Sequence, residues 1–281
     1  MRLPSGLLVA SVAAGLLSVA ATLLAMPAAS LQFNLAMLLA LLGYVLASRD
    51  VRRVRWAVAA GIGFLAVVAA MRLFWYQEQV DELGWLTSGQ GAAKNALLAR
   101  WRAMIDREML AALGLTLGVL CLAAGVLALP SRRRRRGVAT TVLALLLFAW
   151  FGLNLARKLG RYPLPDLLAT VWPALLAALV TMGALALSGW RADRRWLLPV
   201  GLVLLSLVAA DAYSDLAVAW SGWWVMAKPA DGAFLETGVA VSTSSEGFPQ
   251  LSQAIEVAIA LAGAGLVAVG AVRSSREADA S

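Results

Sequence analysis

Of 281 residues, 61% are hydrophobic and only 14% charged, too little polar material to clothe a water-facing surface. The formal charge of +8 could suggest nucleic acid, but the basic residues stand in short clusters between apolar runs of about 20, the length that crosses ~30 Å of hydrocarbon; no nucleic-acid partner is expected. There is no histidine, and Cys121 is the sole cysteine, inside an apolar run, which excludes bis-histidine haem, most zinc and copper sites, histidine-activated nucleophiles and an intramolecular disulfide.

In chain order, the first apolar run extends from about Gly6 to Met26. Its length favours a retained helix over a cleaved signal peptide, whose apolar core is usually shorter. Further spans are expected from Gln32 to Ser48, Val54 to Tyr76, Met109 to Leu129, Gly137 to Ala156, Leu167 to Gly189, Trp196 to Ala217 and Leu251 to Val272. The fold class is therefore all-α: a polytopic integral membrane helix bundle of about eight transmembrane helices in a lipid bilayer, one membrane domain over residues 1–281.

Charge sets the orientation. With the N-terminus inside, one face collects 15 of the 24 basic residues and 4 of the 16 acidic ones, the other face nine basic and twelve acidic. Basic residues favour the cytoplasmic side, so both termini are expected in the cytoplasm. The outer loop with Arg157, Lys158 and Arg161 departs from the rule. Arginine outnumbers lysine 21 to 3 and alanine is abundant, which suits a GC-rich bacterial genome and hence a bacterial cytoplasmic (inner) membrane.

The loop plan repeats after about 140 residues, suggesting parallel fourfold-plus-fourfold halves at 1–136 and 137–281. The inner loops Arg49 to Trp56 and Arg191 to Trp196 correspond, and Ala124-Gly125 with Ala128 aligns with Ala264-Gly265 and Ala268. Gly114-xxx-Gly118, Ala59-xxx-Gly63 and Ser11-xxx-Gly15 are small-residue patterns that let helices approach closely.

Ionisable groups in a membrane are costly and need partners. Arg72, Asn154, Arg157, Asp211, Asp215 and Glu256 all fall toward the outer ends of their spans, with Gln32 and Asn34 at a similar level. They outline an outward-facing polar vestibule in which the carboxylates would pair with Arg72 and Arg157. A structural role competes with this: Arg72 beside Phe74-Trp75-Tyr76 also fits an interface anchor, and Asp215 a position outside the membrane. Between Glu78 and Arg107, apolar Leu97, Leu98, Trp101, Met104 and Ile105 mark an amphipathic helix that would lie flat on the leaflet or cap the bundle. Trp220-Ser221-Gly222-Trp223-Trp224 opens the matching outer loop and suits an interfacial anchor or an aromatic binding surface.

Phosphate-binding, dinucleotide and nucleophile-elbow motifs are absent, so neither catalytic residues, metal nor cofactor is expected, and a non-enzyme is favoured. The leading reading is a membrane-embedded subunit or binding protein that meets a protein partner or small solute on the extracytoplasmic side. A transporter or channel using Glu256 or Asp211, and an outer-leaflet lipid-processing enzyme using carboxylates, are the alternatives.

Overall fold

Runs of apolar residues this long cannot leave backbone N–H and C=O groups unpaired in lipid, and the helix satisfies them within one segment. A computed structural model describes residues 3–48, 55–88, 94–127, 149, 197–227 and 249–279, and the elements within them are all helices: α1 (Leu3–Leu23), α2 (Pro27–Ala47), α3 (Arg55–Ser88), α4 (Lys94–Leu127), α5 (Leu197–Ala227) and α6 (Pro249–Asp279). Five contain stretches long and apolar enough to cross a membrane: Pro4–Leu23, Pro27–Ala47, Trp56–Tyr76, Leu98–Val126 and Gln253–Arg273. In α5 the apolar stretch is shorter, Val200–Tyr213. These helices point to a membrane protein. Apart from Ala149, the spans expected at 137–156 and 167–189 lie outside the described residues.

The turn between α1 and α2 is a Schellman cap. Met26 N–H donates to Ala21 O at 2.8 Å and Ala25 N–H to Thr22 O at 3.0 Å, with Ala25 in the left-handed region at φ 54°, a conformation glycine adopts with less strain. Pro27 then opens α2, where a missing N–H costs nothing. Below the turn, Ser18 and Thr22 of α1 meet Ser30 of α2 in a buried hydroxyl cluster. Sequential helices pack antiparallel: Leu7 lies against Gly43, Gly118 against Gly61 and Leu198 against Gly270. Helix α6 touches every other described helix, and α4 packs directly on α5. Leu3 and Asp279 consequently come to the same end of the bundle.

Where the sequence suggested a long outer loop between spans three and four, α3 continues to Ser88 and α4 begins at Lys94. At 1.5 Å per residue their 34 residues reach ~50 Å, well beyond the hydrocarbon. The amphipathic segment around Trp101 is thus an upward extension of α4, in one line with its span. Trp220 and Trp223 likewise sit on α5, which runs to Ala227.

The helix pairs α3–α4 and α5–α6 close in the same way. A Cβ on Gly61 would fall 2.9 Å from Gly118 O, and one on Gly201 would fall 2.7 Å from Gly263 O, so backbone meets backbone in both pairs. Around each contact the neighbours correspond. Leu65 packs on Gly118, Leu122 on Gly61 and Val58 on Gly125; Leu205 packs on Gly263, Val267 on Gly201 and Leu198 on Gly270. A shift of 140 residues carries Val58, Gly61 and Leu65 onto Leu198, Gly201 and Leu205, while a shift of 145 carries Gly118, Leu122 and Gly125 onto Gly263, Val267 and Gly270. The alignment of Ala124-Gly125 with Ala264-Gly265 is therefore not the packing register: Gly265 faces Met37 of α2, whereas Gly125 faces α3. Of the other small-residue patterns, Gly114 and Gly118 do face α3 and Gly15 faces Met37, but a Cβ on Gly63 would meet nothing within 4 Å. The glycine that brings α3 close is Gly61.

Candidate functional site

The half of the bundle holding Leu3 and Asp279 is packed mainly with apolar side chains: Val58, Ile62, Val119, Leu122, Leu202, Val267 and Ala268 have no exposed surface. The opposite half carries the polar groups. Leu261 of α6 packs beside Gly15 of α1; Glu256 lies five residues further out, ~7.5 Å along the axis. Helix α1 ends eight residues beyond Gly15, so Glu256 sits about one turn below the level where the short helices stop.

There α3, α4 and α5 enclose a cleft of about 310 Å³, lined by Arg72, Trp101, Met104, Ile105, Glu108, Ala212, Asp215, Leu216 and Ala219. Arg72, reaching in from α3, forms an ion pair with Glu108 of α4, Nη2 to Oε2 3.3 Å, both side chains about two-fifths exposed. Arg72 Nε is buried without an acceptor among the described residues. The expected partners of Arg72 were Asp211, Asp215 and Glu256; its bonded partner is Glu108. Those three carboxylates and Arg72 are nevertheless close enough for the charges of Asp211, Asp215 and Arg72 to act on Glu256. Of the six predicted residues, Arg72 and Asp215 line the cleft, while Asp211 and Glu256 do not. Asn154 and Arg157 lie outside the described residues. Asn34 is part-buried, its Oδ1 without a donor among the described residues, and it is not part of the cleft's lining.

The α4–α5 seam borders the cleft. Ile105, Ala112, Tyr213 and Leu216 form a small core of their own, flanked by Trp101, Met109, Ala219, Trp220 and Trp223. Tyr213 is buried, its hydroxyl 3.4 Å from Thr116 Oγ1. Thr116 gives its proton to Ala112 O at 2.9 Å, which leaves the Tyr213 hydroxyl to act as the donor between them. Higher up, Trp223 Nε1 donates to Leu98 O at 2.9 Å. Arg102 stacks over Trp220 at 3.9 Å from the ring centroid, and Asp106 holds its Nε at 3.1 Å. The tryptophans expected to be interfacial anchors therefore bind two helices together and carry a cation on their faces.

Sequence reasoning missed Glu108 and the tyrosine–threonine contact. Glu108 follows Asp106 and Arg107 in a stretch that resembles a solvated loop; a partner for Arg72 at antiparallel register, read from the Gly61–Gly118 contact, would have found it. No group of three or more metal-ligating side chains occurs among the described residues. Scans against protein-family profiles, curated proteins and solved structures gave no match to this chain.

Proposed function

We propose that this protein is a membrane-embedded binding subunit with eight spans, in two parallel halves at 1–136 and 137–281, both termini in the cytoplasm of a bacterium. It presents its outer cleft and long outer segments to a protein partner or small solute. The observation that carries the reading is the contrast, among the described residues, between a charged cleft with Trp101 in its wall at one end and a core packed mainly with apolar side chains at the other. Such a site can bind from one side.

The eight-span plan draws support from connectivity. Helix α4 ends and α5 begins at the same end of the bundle, side by side, as a plan with two further spans between them requires. The recurring glycine contacts of α3–α4 and α5–α6 support the duplication, and the face rich in Lys and Arg supports the orientation.

Purification of the tagged chain from native membranes in a mild detergent tests the subunit reading. A stoichiometric partner, lost when Trp101 and Trp220 are replaced by alanine, is expected; a monodisperse lone monomer would refute it. Transport through Asp211 or Glu256 is the second reading, favoured by the position of these carboxylates inside or beside apolar helices. It requires the packed end to open. Solute flux in proteoliposomes that Glu256→Gln abolishes would establish it over the subunit reading.

A further inference from the structure

Resting on the binding reading above, we infer that the cleft takes a small uncharged amphiphile of the phenol type, which arrives from the aqueous side and enters hydroxyl end first. The order of the lining carries this. Arg72 and Glu108 are bonded to each other and so share one level. Arg72 stands four residues inside the outer end of its apolar stretch, Trp56–Tyr76, about 6 Å below that end. Along α4, Ile105, Met104 and Trp101 follow outward from Glu108 at about 4.5, 6 and 10.5 Å. On α5, Asp215 is two residues from Tyr213, whose hydroxyl meets Thr116 further in, whereas Ala219 adjoins Trp220, on which Arg102 stacks. The charged residues thus lie toward the floor and the outer wall is apolar, the reverse of the bilayer's own polarity. An outer-leaflet lipid would bring its tail to the charges and its headgroup to Trp101.

The floor selects the tip. Arg72 Nη2 is taken by Glu108, but Arg72 Nε has no acceptor among the described residues, so the floor is short of an acceptor oxygen. An anion that supplied one would compete with Glu108 for the guanidinium and meet Asp215 as well. A cation finds no unclaimed carboxylate in the lining, since Glu108 holds Arg72 and both Glu108 and Asp215 have further interactions of their own. A hydroxyl meets neither cost. Its oxygen accepts from the open part of the Arg72 side chain, and it donates its proton to the carboxylate of Glu108, each about two-fifths exposed. Above it, an aromatic ring fits beside Trp101 and Met104 within about 310 Å³.

Calorimetric titration of the full chain at neutral pH in nanodiscs of phosphatidylcholine, with empty discs subtracted, tests the inference. 4-Ethylphenol, ethylbenzene, 4-ethylbenzoate and 4-ethylbenzylamine serve as probes of one body and four tips. Saturable binding is expected to be tightest for 4-ethylphenol, and Ala219→Trp, which fills the outer wall, should remove it. Arg72→Met should weaken 4-ethylphenol by about tenfold, as loss of a charged hydrogen-bonding partner does. It should leave ethylbenzene unchanged, which a merely unfolded cleft would not. 1-Hexadecanol held in the disc should not displace 4-ethylphenol, because its hydroxyl stays at the level of the wall; displacement would overturn entry from the aqueous side. If ethylbenzene or either charged probe binds as tightly as 4-ethylphenol, and Ala219→Trp still blocks it, the cleft is a binding site but the hydroxyl-first inference is overturned. If no probe shows binding that Ala219→Trp removes, the small-solute form of the binding reading falls with it.

Discussion

The hairpins α3–α4 and α5–α6 share one mode of packing and carry opposite chemistry at their outer ends. In both, a glycine pair lets the backbones touch, and a leucine or valine from each helix closes over the partner's glycine. About three turns beyond that contact they part. The first pair places Arg72 against Glu108 and is locally neutral. In the second, the positions that correspond by the same shifts are Ala212 and Gln253, while Asp211, Asp215 and Glu256 crowd in at neighbouring positions. Packing constrains the buried, glycine-lined level, because in lipid close van der Waals contact is the main force that joins helices. It leaves the outer level free to diverge, and that is where the cleft lies.

The largest predicted effect falls on the shared feature. Gly201→Leu, which drives a side chain into the carbonyl of Gly263, should cost ~3 kcal/mol or more, as overpacking at a backbone contact does. Gly61→Leu should cost a similar amount if the two contacts are equivalent. Thermal unfolding in detergent measures both, with Gly63→Ala, which meets nothing within 4 Å, as the control that should not destabilise. A large loss at Gly61 with none at Gly201 would break the equivalence.

Tyr213→Phe removes a buried hydroxyl from the seam between the pairs and should cost about 1 kcal/mol in the same assay. A smaller effect belongs to the diverged end. Arg72 and Glu108 are each about two-fifths exposed, so solvent screening should hold their coupling to ~0.5 kcal/mol in a double-mutant cycle. Introducing Ala212→Arg with Gln253→Glu would copy the pair into the second hairpin. A comparable coupling energy is expected there. The smallest expected change is a gain: Ala25→Gly relieves the left-handed turn residue and should raise stability by roughly 0.3 kcal/mol, the relief being mostly offset by the greater freedom of glycine in the unfolded chain.

What sequence could foretell follows from which forces leave a mark in it. Apolar runs of about 20 residues announced the helices now seen as α1 to α4 and α6, because lipid demands both composition and length. The outward extensions of α3 and α4 left no such mark, since beyond the hydrocarbon a helix needs no apolar girdle; residues 77–107 therefore resembled a loop with one amphipathic stretch. Arg72, Asp211, Asp215 and Glu256 stood out because charge within an apolar run is costly. Glu108 stood among other charges and did not. The small-residue patterns located close contacts only roughly. Alanine and glycine recur so often here that spacing alone could not tell Gly61, which faces α4, from Gly63, which does not.

The central claim is that a polar cleft faces the outside above a closed core. Single cysteines placed in a Cys121→Ser background, at Asp215 in the cleft and at Val267 in the core, test it with a membrane-impermeant maleimide applied to intact cells. The account predicts rapid labelling at position 215 and none at 267, even after the cells are broken. Labelling at 215 only after breakage, or at 267 from either side, would contradict it.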